Sequence, residues 1–194
     1  LIVQNWNINP IVHMKLLNNQ HVISDAGGSK ITDSYVLFKC SRKDNSSIID
    51  TICCSPTTAR DLCQLSHQTM PSFFNPLHQN GEGHGIGGNH PHQSWNQCRK
   101  QLYNIVLLLI AYFGSDKTNT PLYDIKIKLE KYTSFPPFFS YIKSVNTIIG
   151  NTKHGKFTNI INYLTKNNNN LRNFPYELVL NELNNNNNIE QHFE

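Results

Sequence analysis

Apolar residues along this chain change their pattern twice. Over roughly the first 55 residues they come in short runs, at 11–17 and 35–40, with the turn signal Asp25-Ala26-Gly27-Gly28 between them. This pattern predicts short strands. Ser46-Ser47 could equally cap a short helix over 48–54, stopped by Pro56, and Thr57-Thr58 offers a cap for a helix over 59–67. From residue 68 to 97 the periodicity disappears. Pro71, Pro76 and Pro91, with Gly81, Gly83, Gly85, Gly87 and Gly88, exclude a regular element longer than one turn. A loop of ~30 residues inside a compact domain is unusual and generally functional. Phe73, Phe74, Leu77 and Trp95 give it apolar anchors.

Helical spacing dominates the remainder. Leu102, Val106, Leu109, Ile110 and Phe113 recur at the period of a helix, with Ser94 available as its cap and Gly114 as its terminator. Because 105–113 is apolar nearly all round, this helix is expected to be central and buried. Further helices are predicted over 123–132, 138–149 and 157–166, separated by Pro136-Pro137 and by 151–155. Residues 124–129 also alternate like a strand. Asn runs at 167–170 and 184–188 read as a surface turn and a frayed tail. The prediction is an α+β fold: short N-terminal strands, a long His/Gly-rich loop, then a mainly helical C-terminal half around one buried helix. It is drawn as a single domain over 1–183 with an Asn-rich tail over 184–194.

Composition narrows the function classes. Charged residues make up only 15%, against about 25% in an average soluble protein, and 27 of the 194 residues are Asn. No apolar run approaches the ~18 residues of a membrane span. The net charge of +4 is mild, and only four of the 17 basic residues are Arg. The densest basic group is Arg99 and Lys100, followed by Lys126, Lys128 and Lys131. Nucleic acid is thus permitted as a partner but not indicated by charge, and a protein partner is equally allowed. The cysteines Cys40, Cys53, Cys54, Cys63 and Cys98 are odd in number and form no C-x-x-C pair, which fits a reducing, cytoplasmic compartment. Leu1 in place of Met predicts a processed or trimmed N-terminus, so secretion or targeting stays open.

Chemistry concentrates in the loop. Five of the nine histidines, His67, His78, His84, His90 and His92, fall within 26 positions. Imidazole is the commonest ligand for zinc and related ions, and the alternating glycines of 81–88 let backbone fold tightly around an ion. A divalent metal ion, Zn or Mg, is the implied cofactor. His84 is followed by a Gly/Asn-rich turn, by Asn96 twelve positions on and by Asn104 eight further. This spacing resembles the ββα-metal motif of the HNH nucleases, although Gly83 stands where that family usually carries Asp, Glu or His. The resemblance implies His84 as the base that activates water, Asn96 as the residue holding its imidazole, and Asn104 as a helix-borne metal ligand.

Two other readings stand beside it. Cys98 lies where a helix begins, a position that favours the thiolate. With His154 as base it resembles the nucleophile region of papain-like Cys-His hydrolases. The third class is a non-enzymatic protein-binding module.

Overall fold

The computed structural model describes residues 2–78, 94–114, 121–168, 170–186 and 189–194. The fold is α+β, with strands concentrated in the N-terminal part and helices after them. It divides into two compact units, one built on the described residues of 1–76 and 113–119, the other on those of 77–112 and 120–194.

The first unit is a four-stranded sheet with a helix on one face. A short helix α1 (Ile2–Asn5) leads into β1 (Trp6–Lys15), and β2 (Val22–Ile23) and β3 (Lys30–Ile31) form a small hairpin. The predicted turn closes that hairpin, with Gly27 and Gly28 at φ of 90° and 69°. Next come β4 (Ser34–Arg42), β5 (Ile49–Cys54), α2 (Pro56–Ser66) and β6 (Phe73–Phe74). Sheet order is β5-β4-β1-β6; only the β1/β6 pair is parallel. In β4 the alternate residues Val36, Phe38 and Cys40 pack with Ile8, Cys54, and Ala59 and Cys63 of α2. Tyr35 and Leu37, pointing the other way, are buried as well, as a strand covered on both faces requires.

Three sequence expectations change here. Strand β1 starts at Trp6, five residues earlier than its apolar pattern suggests, because a bulge between Pro10 and Val12 inserts Ile11 and resets the alternation. Residues 49–54 form a strand, not a helix, paired along β4 from Ser41 to Val36. Helix α2 begins at Pro56 and is capped by Ser55, whose Oγ accepts from Thr58 N–H at 3.3 Å; proline at the first helical position is pre-set for that start.

In the second unit the helices fall where their spacing predicts. Helix α3 (Gln97–Phe113) is buried continuously from Ile105 to Ala111. It is followed by α4 (Pro121–Glu130), α5 (Phe139–Gly150) and α6 (Phe157–Asn167). Residues 124–129, which alternate like a strand, are helical. A further helix, α7 (Glu177–Asn184), has no cap of its own; Leu178 N–H donates to Gln101 Oε1 of α3 at 2.9 Å.

Residues 189–194 do not fray. Phe193 is fully buried beside the rings of Phe157 and Tyr176. The carbonyls of His192 and Phe193 accept from the first two N–H groups of α6, at 2.8 and 3.1 Å, donors that no side chain of that helix caps. Asn146 on α5 clamps the same segment by donating to Glu190 O and accepting from His192 N–H, both at 2.8 Å. In the other Asn run, Asn168 is buried and donates to Leu164 O at 2.9 Å, so it closes the end of α6.

The basic group around Arg99 also departs from the sequence picture. Arg99 is 3% exposed. Its Nε donates to Phe135 O at 2.6 Å, one terminal nitrogen to the carbonyls of Lys128, Leu129 and Lys131 at 3.0–3.4 Å, and the other to Pro136 O at 2.9 Å. The last carbonyls of a helix have no intrahelical partner and carry its negative pole, so the guanidinium closes α4 and fixes the backbone after it. Arg99→Met should cost at least about 3 kcal/mol in urea unfolding, since several buried carbonyls lose partners worth ~1–3 kcal/mol each. Arg99→Lys should recover less than half of that loss, because one ammonium cannot span the fork; full recovery would show that charge alone suffices.

Candidate functional site

Of the residues assigned to a metal by their sequence pattern, His84, His90 and His92 lie outside the described residues. His67 and His78 are exposed and belong to different units. His67 ends α2 in the left-handed conformation, φ 54°. His78 is tied through its backbone, donating to Asn170 O at 2.7 Å and accepting from Asn170 Nδ2 at 2.6 Å. Among the described residues no three His, Cys, Asp or Glu side chains gather closely enough to hold an ion.

Asn104 lies within α3 and Asn96 immediately before its first residue, about 12 Å apart along the helix axis. Asn96, not Ser94, is the cap: its Oδ1 accepts from Arg99 N–H at 3.1 Å, and its own N–H donates to Thr133 O at 2.8 Å. That carboxamide oxygen is therefore already engaged by the helix. Asn104 is half-buried on α3.

The Cys98–His154 pair does not form. The His154 ring lies 5.8 Å from that of Tyr112 and 4.8 Å from that of Tyr163. Cys98 and Tyr112 are about 21 Å apart along α3, far more than side-chain reach can close to the ~3 Å that proton transfer needs. Burial, with Lys153 beside it, lowers the His154 pKa; its Nε2 is buried with no hydrogen-bond partner among the described residues. Burial pushes the Cys98 thiol up to about 11, helped by the Glu182 carboxylate, so the helix-terminus effect expected to favour a thiolate is outweighed. The other four thiols are buried.

The described residues gather a different set of side chains at the start of α3. The rings of Trp95 and Tyr103 lie 5.0 Å apart. Tyr103 Oη donates to Glu130 Oε1 at 2.9 Å, and the buried Lys126 reaches the same oxygen at 2.7 Å. Burial and that carboxylate raise the Tyr103 pKa, so it stays a phenol and a donor. Past Glu130 the chain turns through 131–138, held from below by Arg99 and by the Asn96–Thr133 hydrogen bond. In this loop Tyr132, Phe135 and Phe138 are 74%, 63% and 66% exposed. Phe138 meets Tyr141 edge-on at 5.5 Å, and Lys128 Nζ sits 5.7 Å over the Tyr141 ring. Lys131 and Lys143 are exposed nearby in sequence, while Glu130, the acid in this stretch, is taken up by Lys126 and Tyr103.

Sequence reading did not single out these rings. The signal was the aromatic pair flanking Pro136-Pro137, which registered only as a helix break. Comparison with protein-family models, with curated proteins and with solved structures finds no match to this chain.

A thiol pushed from 9.0 to about 11 carries roughly a hundredfold less thiolate near pH 7.5 than an ordinary cysteine. Iodoacetamide should therefore label Cys98 about that much more slowly than a free cysteine, with a rate that climbs as pH rises toward 11. Labelling faster than a free cysteine at neutral pH would restore the nucleophile.

Proposed function

We propose that this chain is a binding module whose working surface is the aromatic and lysine stretch 128–143, and that its partner is an anionic macromolecule. The observation that carries this reading is a conflict between local backbone and residue type. Tyr132 holds φ 56°, a left-handed conformation that costs a non-glycine residue about 1 kcal/mol and suits Gly or Asn. Phe138 is the N-cap of α5 and forms no side-chain cap bond, at a position where Ser, Asp or Asn would stabilise by ~1 kcal/mol. Neither ring recovers that cost by burial. Residues that break local rules without a folding gain are expected where a protein makes contact, and aromatic residues are enriched at protein interfaces. Lys128, Lys131 and Lys143 supply the sign of the partner's charge.

Two measurements test this. Combining Tyr132→Gly with Phe138→Ser should raise stability by about 1–2 kcal/mol in thermal or urea unfolding; a loss of stability would mean that the rings serve the fold. Reversing Lys128, Lys131 and Lys143 to Glu should abolish retention on immobilised heparin at physiological salt while costing no more than about 2 kcal/mol of stability, from the Lys128–Tyr141 contact and the end of α4, and unchanged retention would refute the surface.

A second reading, a metal-dependent nuclease centred on His84 with His90, His92 and Asn104, is supported by the placement of Asn104 on α3. It expects a stoichiometric divalent ion, Zn or Mg, in purified protein by elemental analysis, lost on His84→Ala; a metal content unaltered by that substitution would dispose of it.

A further inference from the structure

We infer that the surface formed by Lys128, Tyr132, Phe135, Phe138 and Tyr141 is a stacking platform for single-stranded nucleic acid. The inference rests on the binding reading above and deepens it by naming the ligand.

An anionic partner alone explains the lysines but not the rings. Phosphate contacts need cations and N–H donors; three largely exposed aromatic rings add nothing to them. A ligand that uses both must present negative charge and apolar flat faces along the same strand. Single-stranded nucleic acid does so at every nucleotide, one phosphate and one base, and positively charged grooves interleaved with aromatic side chains are how such strands are held without sequence preference. In a duplex the base faces are covered by their neighbours and only edges are open to the grooves, so rings that stand out from the surface find no face to stack on. An acidic peptide supplies the charge without the repeating flat faces.

The geometry is of the right kind. The rings recur every third residue, at 132, 135, 138 and 141. Lys128 over Tyr141 and Tyr141 against Phe138 form one continuous run of cation, ring and ring. The backbone beneath is fixed by Arg99 and Asn96, so the rings project from a base that needs little ordering when a strand arrives. With Lys rather than Arg supplying the charge, contacts to phosphate are point contacts and not bidentate, which suits a strand read by stacking more than by sequence.

The test is fluorescence anisotropy of the full chain with four probes: a labelled single-stranded oligonucleotide, its duplex, an abasic oligomer of the same length, and anionic lipid vesicles. The single strand should bind best, with log K falling against log salt at a slope of about −2 for three lysines. Tyr132→Gly, Phe135→Ser and Phe138→Ser together should weaken it at least a hundredfold, at roughly fivefold or more per stacked base, while Phe135→Tyr leaves it near wild type. The abasic oligomer should bind weakly and ignore the ring substitutions. Equal affinity for duplex and single strand, or single-strand binding untouched by loss of the rings, overturns the platform, and so does ring-dependent binding of vesicles with none of oligonucleotides. These failures leave heparin retention and its loss on lysine reversal intact, whereas failure of the broader binding reading removes heparin retention as well.

Discussion

The guanidinium of Arg99 is buried under a loop whose main-chain carbonyls are its hydrogen-bond acceptors. Taking an ion out of water is costly unless its donors are used and its charge is opposed. Here the opposition comes from the negative pole of α4 and from the carbonyl dipoles of the following turn. Arg99 itself stands in the first turn of α3, at the positive pole of its own helix, where a cation is unfavourable. Its long side chain carries the charge away from that pole to the end of the neighbouring helix. The constraint is mutual: the carbonyls of Lys128, Leu129, Lys131, Phe135 and Pro136 keep this donor only while Arg99 is in place, and Arg99 is tolerated only while they surround it. Start of α3, end of α4 and the turn after it therefore form one rigid piece.

The same economy of charge runs through the second unit. With few ionised side chains to spend, its ends and crossings are closed by carboxamides, each of which offers the donor and acceptor of a peptide group. Asn96 caps α3, Asn146 pairs with 190–192 as a strand neighbour would, Asn168 closes α6 and Asn170 grips His78. Amides satisfy buried main-chain groups without the desolvation penalty that Asp or Lys would bring. An Asn-rich composition here is not merely a neutral surface.

Sequence alone revealed what periodicity can encode. α3, α5 and α6 declare themselves because their apolar residues repeat over several turns, whereas α4 alternates over 124–129 as a strand would; the hairpin at Gly27-Gly28 shows through backbone that only glycine enters easily. Elements whose cause lies elsewhere in the chain stayed hidden. β5 is a short apolar run without a period, made a strand by pairing with β4. α7 borrows its cap from Gln101. Arg99 registers in the sequence only as part of a basic group, because nothing local marks the end of a helix thirty residues on as its destination. For the site, residue type suggested Cys98 with His154, and the length of α3 separates them; the exposed rings recur every third residue across a turn and Pro136-Pro137, a spacing that belongs to no single helix or strand.

Rigidity below and misfit above belong to one design. A flexible loop bearing the same aromatics would lose ~0.5–1.5 kcal/mol for each side chain ordered on contact, and more for its backbone. Stapling the backbone from beneath moves that cost into folding, where the core of α3 can absorb it. The strain at Tyr132 and the missing cap at Phe138 then persist because the surrounding hydrogen bonds over-determine the loop. Without Arg99, relaxation of the turn would release that strain and scatter the rings. With it, the least comfortable residues of the unit are also the best presented.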